Sequence, residues 1–260
     1  MGKKLSVDKN GDGVIDTYAL GIPGSKDGVT SCTLLPWFWG HKGAELSDGQ
    51  KVIFGEGNNK EAMVDMLEFL RKLVDENIVS PDMASLKFTD VEANFIGGAC
   101  AMAILGSWHY ASIKENGGED FIKNVAIAPI PAVPGNDPVT TAGGWTIAMF
   151  TKDPAKQDAA WKFMEFFAGH DVQKALTVKA AQMTTLKEIY DEPELKDDAV
   201  MQTFKEGLFG GKTRDAVPFY SAMDEQFQNL IQIAVTSKDD LNQAVERAAA
   251  EAQKIADSMK

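Results

Sequence analysis

Apolar positions along the chain recur in two periods. Between Asn58 and Ile78, Ala62, Met66, Leu67, Leu70, Leu73 and Val74 return at steps of three and four. That spacing predicts an amphipathic helix, with Asn58 and Glu61 placed as a capping box. Met223, Phe227, Leu230, Ile231 and Ala234 predict a second helix over 222–235, and a third runs from Lys238 onward with Ser237 and Asp240 as its cap pair. Asp153, Pro154 and Gly169 frame a helix over 155–168 as N-cap, first helical residue and terminator. The apolar run Thr30–Trp39 reads as a buried helix containing Pro36, and 90–96 as a short one. Strands are predicted at 17–22, 99–105, 125–130 and 144–150, each an apolar run bounded by Gly or Pro. Strands alternating with helices give an α/β chain.

Composition narrows the partners. A length of 260 residues with 44% hydrophobic and 25% charged residues allows one large or two smaller cores. The net charge of -12 repels nucleic-acid phosphates and anionic membrane surfaces, so a small neutral or cationic partner is expected and nucleic acid is not. No run approaches the roughly 20 apolar residues of a spanning helix. Met-Gly-Lys-Lys at the start leads into acidic, glycine-rich sequence rather than an apolar signal core, so the chain as given carries no signal peptide. Cys32 and Cys100 are far apart and lack CxxC spacing, which indicates neither a zinc site nor a disulfide framework.

Two kinds of chemistry are weighed. Asp8, Asn10, Asp12, the Val14 carbonyl and Asp16 reproduce the first nine positions of a calcium loop, with Gly13 at the sharp turn. The twelfth position is Ala19 instead of a bidentate Glu, so a structural calcium ion and a solvated acidic turn both stay open; no other cofactor is expected. Catalysis is not expected. His41, His109 and His170 are scattered, and no nucleophile elbow, Walker loop or HExxH occurs.

The glycine-acid loop, Leu73-Val-Asp-Glu-Asn-Ile-Val79, Phe95-Ile-Gly-Gly-Ala-Cys-Ala-Met-Ala-Ile-Leu-Gly-Ser-Trp108, Ala128-Pro-Ile-Pro131 and Gly143-Gly-Trp-Thr-Ile147 follow one another in an order that resembles the bacterial extracellular solute-binding proteins, the family that includes maltose-binding protein. Pro218-Phe-Tyr-Ser221 and Asp239-Asp-Leu-Asn-Gln-Ala244 extend the resemblance over about 8–255. It implies a periplasmic-binding-protein-like two-lobed α/β fold. The second lobe would comprise 1–143 and 217–260, incomplete at its start, and 144–216 would form part of the first. It further implies a periplasmic or extracellular location, a carbohydrate-like ligand, ABC-transporter membrane subunits as partners, and no enzymatic activity. With much of the first lobe absent, apolar surface is expected to be exposed over 151–211, favouring self-association.

A sugar offers apolar C–H faces and a rim of hydroxyls, so its site calls for flat aromatic rings and short polar groups. The resemblance then points to Trp108 and Trp145 as stacking rings facing one cleft. Gly143 and Gly144 would allow close approach, Thr30, Ser31 and Cys32 would supply polar contacts, and Tyr220 would stand near Arg214 and Phe219 at the returning crossover. Half-buried core packing is the competing role for Trp108, an ordinary turn for Trp145, and surface packing for Tyr220. Trp37, Trp39 and Trp161 are expected in the core. The alternative function is a calcium-stabilised interaction domain without a small-molecule ligand.

Overall fold

The structure is a computed structural model describing residues 2–41 and 43–259. The chain forms two compact units, one of Met1–Leu105, Ile130–Thr141 and Lys212–Lys260, the other of Gly106–Pro129 and Ala142–Gly211. The expected continuous stretch 1–143 is therefore divided, because 106–129 groups with the second unit.

In the first unit, after α1 (Gly2–Leu5), β1 (Tyr18–Gly21) pairs in parallel with β2 (Cys100–Ala103), with Tyr18 opposite Cys100 and Leu20 opposite Met102. Parallel strands need a long crossover. Here it contains α2 (Gly28–Trp39), α3 (Gly57–Asp75) and α4 (Phe88–Ile96). Asp27 starts α2 by accepting the Val29 and Thr30 amides at 2.9 and 3.0 Å. The chain returns after the second unit as α9 (Tyr220–Thr236) and α10 (Leu241–Ser258), both packed on α3. Their apolar stripes close one core: Leu34, Phe38, Met63, Met66, Leu67 and Leu70 meet Met223, Phe227, Leu230, Ile231, Val245 and Ala252. Each large side chain so buried contributes roughly 1.5–3 kcal/mol. Two polar ties lock the return. Arg71 donates from Nε to the Ala234 carbonyl at 3.0 Å and from Nη2 to the Asp239 carbonyl at 3.1 Å, satisfying acceptors at the end of α9. Gln232 donates to the carbonyls of Gly24 and Ala84 at 2.6 and 2.9 Å.

The second unit contains α5 (Trp108–Ile122), α6 (Pro154–Ala168), α7 (His170–Ala180) and α8 (Ala199–Gly210). Its core is small: Ala181, Ile189, Leu195 and Met201, with Tyr110, Leu186 and Phe204 against it. Tyr190 is fully buried and donates its hydroxyl to the Thr184 carbonyl at 2.8 Å.

Several local expectations are corrected. Residues 125–130 and 144–150 are in neither helix nor strand and form no ladder among the described residues, because an apolar run becomes a strand only beside another strand. Helix α3 starts after Glu56, so Asn58 lies inside it and caps nothing; the Asn59 side chain instead accepts the Glu45 amide at 2.8 Å. It stops at Asp75 because Asn77 turns left-handed, at φ 54°. Helix α10 starts at Leu241, and its N-cap Asp240 accepts the Gln243 amide at 3.1 Å, whereas the Ser237 hydroxyl donates back to the Ile233 carbonyl of α9. Trp161 is 53% exposed and not in the core, although Trp39 is buried and Trp37 packs edge-on against Phe69 at 5.4 Å. Cys32 and Cys100 are free thiols. Among the described residues no helix is long and apolar enough to cross a membrane.

Where the core leaves least room, α10 crosses Gly55. A Cβ at Gly55 would come within 2.5 Å of the Ala249 Cβ. Gly55→Ala is expected to destabilise the protein by about 1–3 kcal/mol, the usual cost of overpacking, read from the shift in urea midpoint. An unchanged midpoint would mean that α10 does not press on this turn.

Candidate functional site

The start of α9 and the first turns of α2 gather side chains from four stretches of sequence in the first unit. Tyr220, half-buried at the first position of α9, donates its hydroxyl to Asp224 Oδ1 one turn on, at 3.3 Å. Gln228, another turn along the same face, donates to Asp224 Oδ2 at 2.9 Å. The Arg214 guanidinium carbon lies 5.6 Å from the centre of the Tyr220 ring, a cation–π contact. Across from this row lies Gly28 of α2, where an added Cβ would be 3.8 Å from Asp224 Oδ2. Thr141 joins by donating to the Cys32 carbonyl at 2.7 Å.

Charge within this corner is partly balanced. Burial, then the negative charge of Asp224, pushes the Tyr220 phenol above its ordinary range, so it stays a neutral donor and acceptor at physiological pH. The Cys32 thiol is also pushed up, chiefly by burial, with the Arg214 guanidinium opposing and Asp224 and Asp27 adding to the shift. A protonated thiol is a poor nucleophile. The corner thus offers a ring face, a guanidinium, a carboxylate and an amide, a set suited to stacking and hydrogen bonding.

Sequence-predicted residues divide between the units. Tyr220 and Arg214 meet as described. Thr30 and Ser31 do not present hydroxyls to solvent: both are fully buried, and Thr30 donates to the Ser25 carbonyl at 2.6 Å. Ser31 Oγ is buried with no hydrogen-bond partner. Helical geometry turns these two inward and leaves Cys32, the next residue, half-exposed. Phe219 is buried in the core beside Met223. In the second unit Trp108 opens α5 and is 45% exposed, with its indole folded over Gly106, where an added Cβ would lie 2.3 Å from the ring. Trp145 is 99% exposed. Gly143 and Gly144 have no atom within 4 Å of an added Cβ, so no close approach at these positions requires glycine.

Asp224 and Gln228 were not singled out from the sequence. Their signal was present in the four-residue steps from Tyr220 along a predicted helix, but a polar face reads as solvated until something packs beside it. Two surface grooves lie elsewhere in the first unit. One of about 410 Å³ runs along α9 and α10 past Lys26, Asn229 and Arg247, and one of about 230 Å³ lies beside β1. Neither is lined by Tyr220, Trp108 or Trp145.

The acidic loop closes on its own backbone. Asp8 accepts the Gly11 and Gly13 amides at 2.7 and 2.8 Å, Asn10 Oδ1 the Asp12 amide, and Asp12 Oδ1 the Val14 amide. Gly11 and Gly13, at φ 78° and 90°, allow these tight turns. Amide donors hold the Asp8 carboxyl below its usual range. Asp16 accepts the Lys9 amide at 2.7 Å. Among the described residues no three His, Cys, Asp or Glu side chains converge as a metal site.

The sequence profile of the family described as bacterial extracellular solute-binding protein matches residues 9–203. The chain belongs to this family. A similar curated protein is the probable ABC transporter-binding protein of Deinococcus radiodurans, 26% identical over 208 residues, a match covering 79% of this chain and 43% of that one. Among solved structures, maltose-bound MalE3 of T. maritima aligns with TM-score 0.80 at 22% identity, over 92% of this chain and 60% of that chain. A solute-binding protein of Thermotoga lettingae bound with alpha-D-tagatose aligns with TM-score 0.82 at 23% identity, over 98% and 62%. This member of the solute-binding family thus spans less than half of the curated relative and about three fifths of the solved ones. The alignments establish the periplasmic-binding-protein-like fold.

The second unit of this family member carries a titratable cluster of its own. His170 Nε2 contacts Glu192 Oε1 at 2.6 Å, and Lys174 pairs with both Glu192 and Glu194. Hydrogen bonds to Asp171 and Glu192 raise the His170 pKa, and those from Lys174 and His170 lower that of Glu192. The His170 contribution to stability is therefore complete below the unfolded value of 6.5 and lost as pH rises through the raised folded value. The Glu192 contribution is complete above 4.5 and lost as pH falls through its lowered folded value. Thermal unfolding is expected to show a component most stable between those two unfolded values, and His170→Gln should remove its alkaline decline. An unaltered decline in the variant would rule out this cluster as its source.

Proposed function

We propose that this chain acts in the extracytoplasmic capture of a carbohydrate-like small molecule, a sugar or polyol, for import by ABC-transporter membrane subunits, and that it performs no catalysis. In this reading the first unit supplies much of the second lobe of a binding protein and the second unit part of the first lobe. The observation that carries it is the Arg214–Tyr220–Asp224–Gln228 row: an aromatic face bordered by charged and amide hydrogen-bonding groups, the combination a polyhydroxylated ring requires. Membership of the solute-binding family and the relatives whose names carry maltose and tagatose support the same ligand class. The half-exposed Trp108 and fully exposed Trp145 are proposed as further stacking surfaces.

Calorimetric titration with maltose and with tagatose tests this reading on the chain and on Tyr220→Ala, Asp224→Ala, Trp108→Ala and Trp145→Ala. Each substitution is expected to weaken binding by about 1–3 kcal/mol while unfolding stays near that of the parent. Affinity unchanged in all four would displace the site from these residues, and sustained hydrolysis of a glycoside would overturn the non-catalytic assignment.

A structural calcium ion at the Asp8–Asp16 loop is proposed separately. Support comes from its donor chemistry, since carboxylates, an amide oxygen and the Val14 carbonyl alternate along one turn. Millimolar calcium is expected to raise the melting temperature of the protein and not that of Asp12→Ala. Equal melting with calcium and with chelator would reject the site.

A further inference from the structure

An asparagine followed by glycine is open to attack from its own backbone, because glycine leaves the next nitrogen unhindered. Two such pairs occur, Asn10–Gly11 and Asn116–Gly117. The second lies inside helix α5. The first stands in the exposed loop between Val7 and Thr17, where Asp12–Gly13, a pair open to the same ring closure, follows at once. Asp8 spans both pairs. Its Oδ1 accepts the Gly11 amide at 2.7 Å and its Oδ2 the Gly13 amide at 2.8 Å, so one carboxylate holds the two nitrogens that would cyclise. The side chains under attack are held as well. Asn10 Oδ1 accepts the Asp12 amide at 2.9 Å, Asn10 Nδ2 donates to Asp12 Oδ2 at 3.1 Å, and Asp12 Oδ1 accepts the Val14 amide at 2.8 Å. Ring closure requires the glycine nitrogen to give up its proton. A carboxylate bonded to that proton keeps it in place, since an amide anion beside a negative charge is disfavoured.

We propose that Asn10 is a deamidation site that the Asp8 carboxylate keeps closed. In the step so restrained, the Gly11 nitrogen loses its proton and bonds to Asn10 Cγ, the Cγ–Nδ2 bond breaks, and Nδ2 leaves with a proton as ammonia. Water then opens the cyclic imide. Opening at Cγ gives aspartate at position 10, opening at the main-chain carbonyl gives isoaspartate, and no oxidant, reductant or cofactor takes part. Residues 10 to 14 are exposed, so water reaches the imide. The product undoes the turn that restrained it. A carboxylate at position 10 replaces the amide that donates to Asp12 Oδ2 and sets two negative charges together, while the isoaspartate form adds a methylene to the main chain. Either product loosens the loop, so conversion of Asn10 opens Asp12–Gly13 to the same reaction. This inference rests on neither sugar binding nor a bound ion.

The test incubates the full chain with a chelator at neutral pH, folded and in guanidinium chloride, and follows both Asn-Gly pairs by peptide mass spectrometry and isoaspartate detection. Asn10 is expected to convert about ten- to a hundredfold more slowly in the folded chain than in the unfolded one, the factor set by breaking one charged hydrogen bond. Asp8→Ala should remove most of that protection. Asp8→Asn, which keeps an acceptor oxygen without the charge, should fall between. The Asn116–Gly117 pair should convert at one rate in all three folded chains, which separates opening of the loop from unfolding. Each of four results would overturn the proposal: Asn10 converting as fast in the folded chain as in the unfolded, protection undiminished in both Asp8 variants, equal acceleration at Asn116 in those variants, or a product free of isoaspartate, which would mean direct hydrolysis without the imide.

Discussion

Helices α9 and α10 come from the end of the chain, yet they complete a hydrophobic core begun by α2 and α3 nearly two hundred residues earlier. Phe227, Leu230 and Ile231 are buried in the same cluster as Leu67 and Leu70. The excursion of the chain through the second unit is tolerated because loop closure costs little more for a long insertion than for a short one, and burial across the helix interface repays it. Arg71 and Gln232 add direction to an attraction that has none, since each reaches carbonyls that would otherwise end unsatisfied at the junction. The position of Tyr220, Asp224 and Gln228 follows from that packing: with the apolar stripe of α9 facing inward, the row beside it borders the start of α2.

The two units differ in how far they satisfy themselves. The first encloses a large core and terminates its helices with side-chain and backbone caps. The second relies on a four-residue nucleus, a buried tyrosine and a cluster of surface charges, while its most apolar segments face solvent. Exposed ion pairs are screened by water and contribute little, so they do not substitute for burial.

The polar side chains at the start of α9 in the first unit are tied to one another. Tyr220 and Cys32 are uncharged at physiological pH at their ordinary values already, and burial pushes both further up. The Arg214 guanidinium lies over the Tyr220 ring, and Asp224 accepts from both Tyr220 and Gln228. Such mutual fixing lowers the conformational cost of receiving a polar ligand.

By itself, the sequence determined the α/β class, the family, and the helices with strong period. Those features are local: the stripe of 62–74 and the Asp153-Pro154 start are legible because one turn of helix contains the whole signal. Tertiary structure decided what depends on neighbours. Val125–Ile130 and Gly144–Phe150 carry strand composition but lack a partner, Trp161 carries core composition but lacks a cover, and Thr30 and Ser31 were placed by chemistry where helical rotation buries them. Asp224 and Gln228 became candidates only when α9 was laid beside α2, because no period in a sequence reports what a polar face will meet across space.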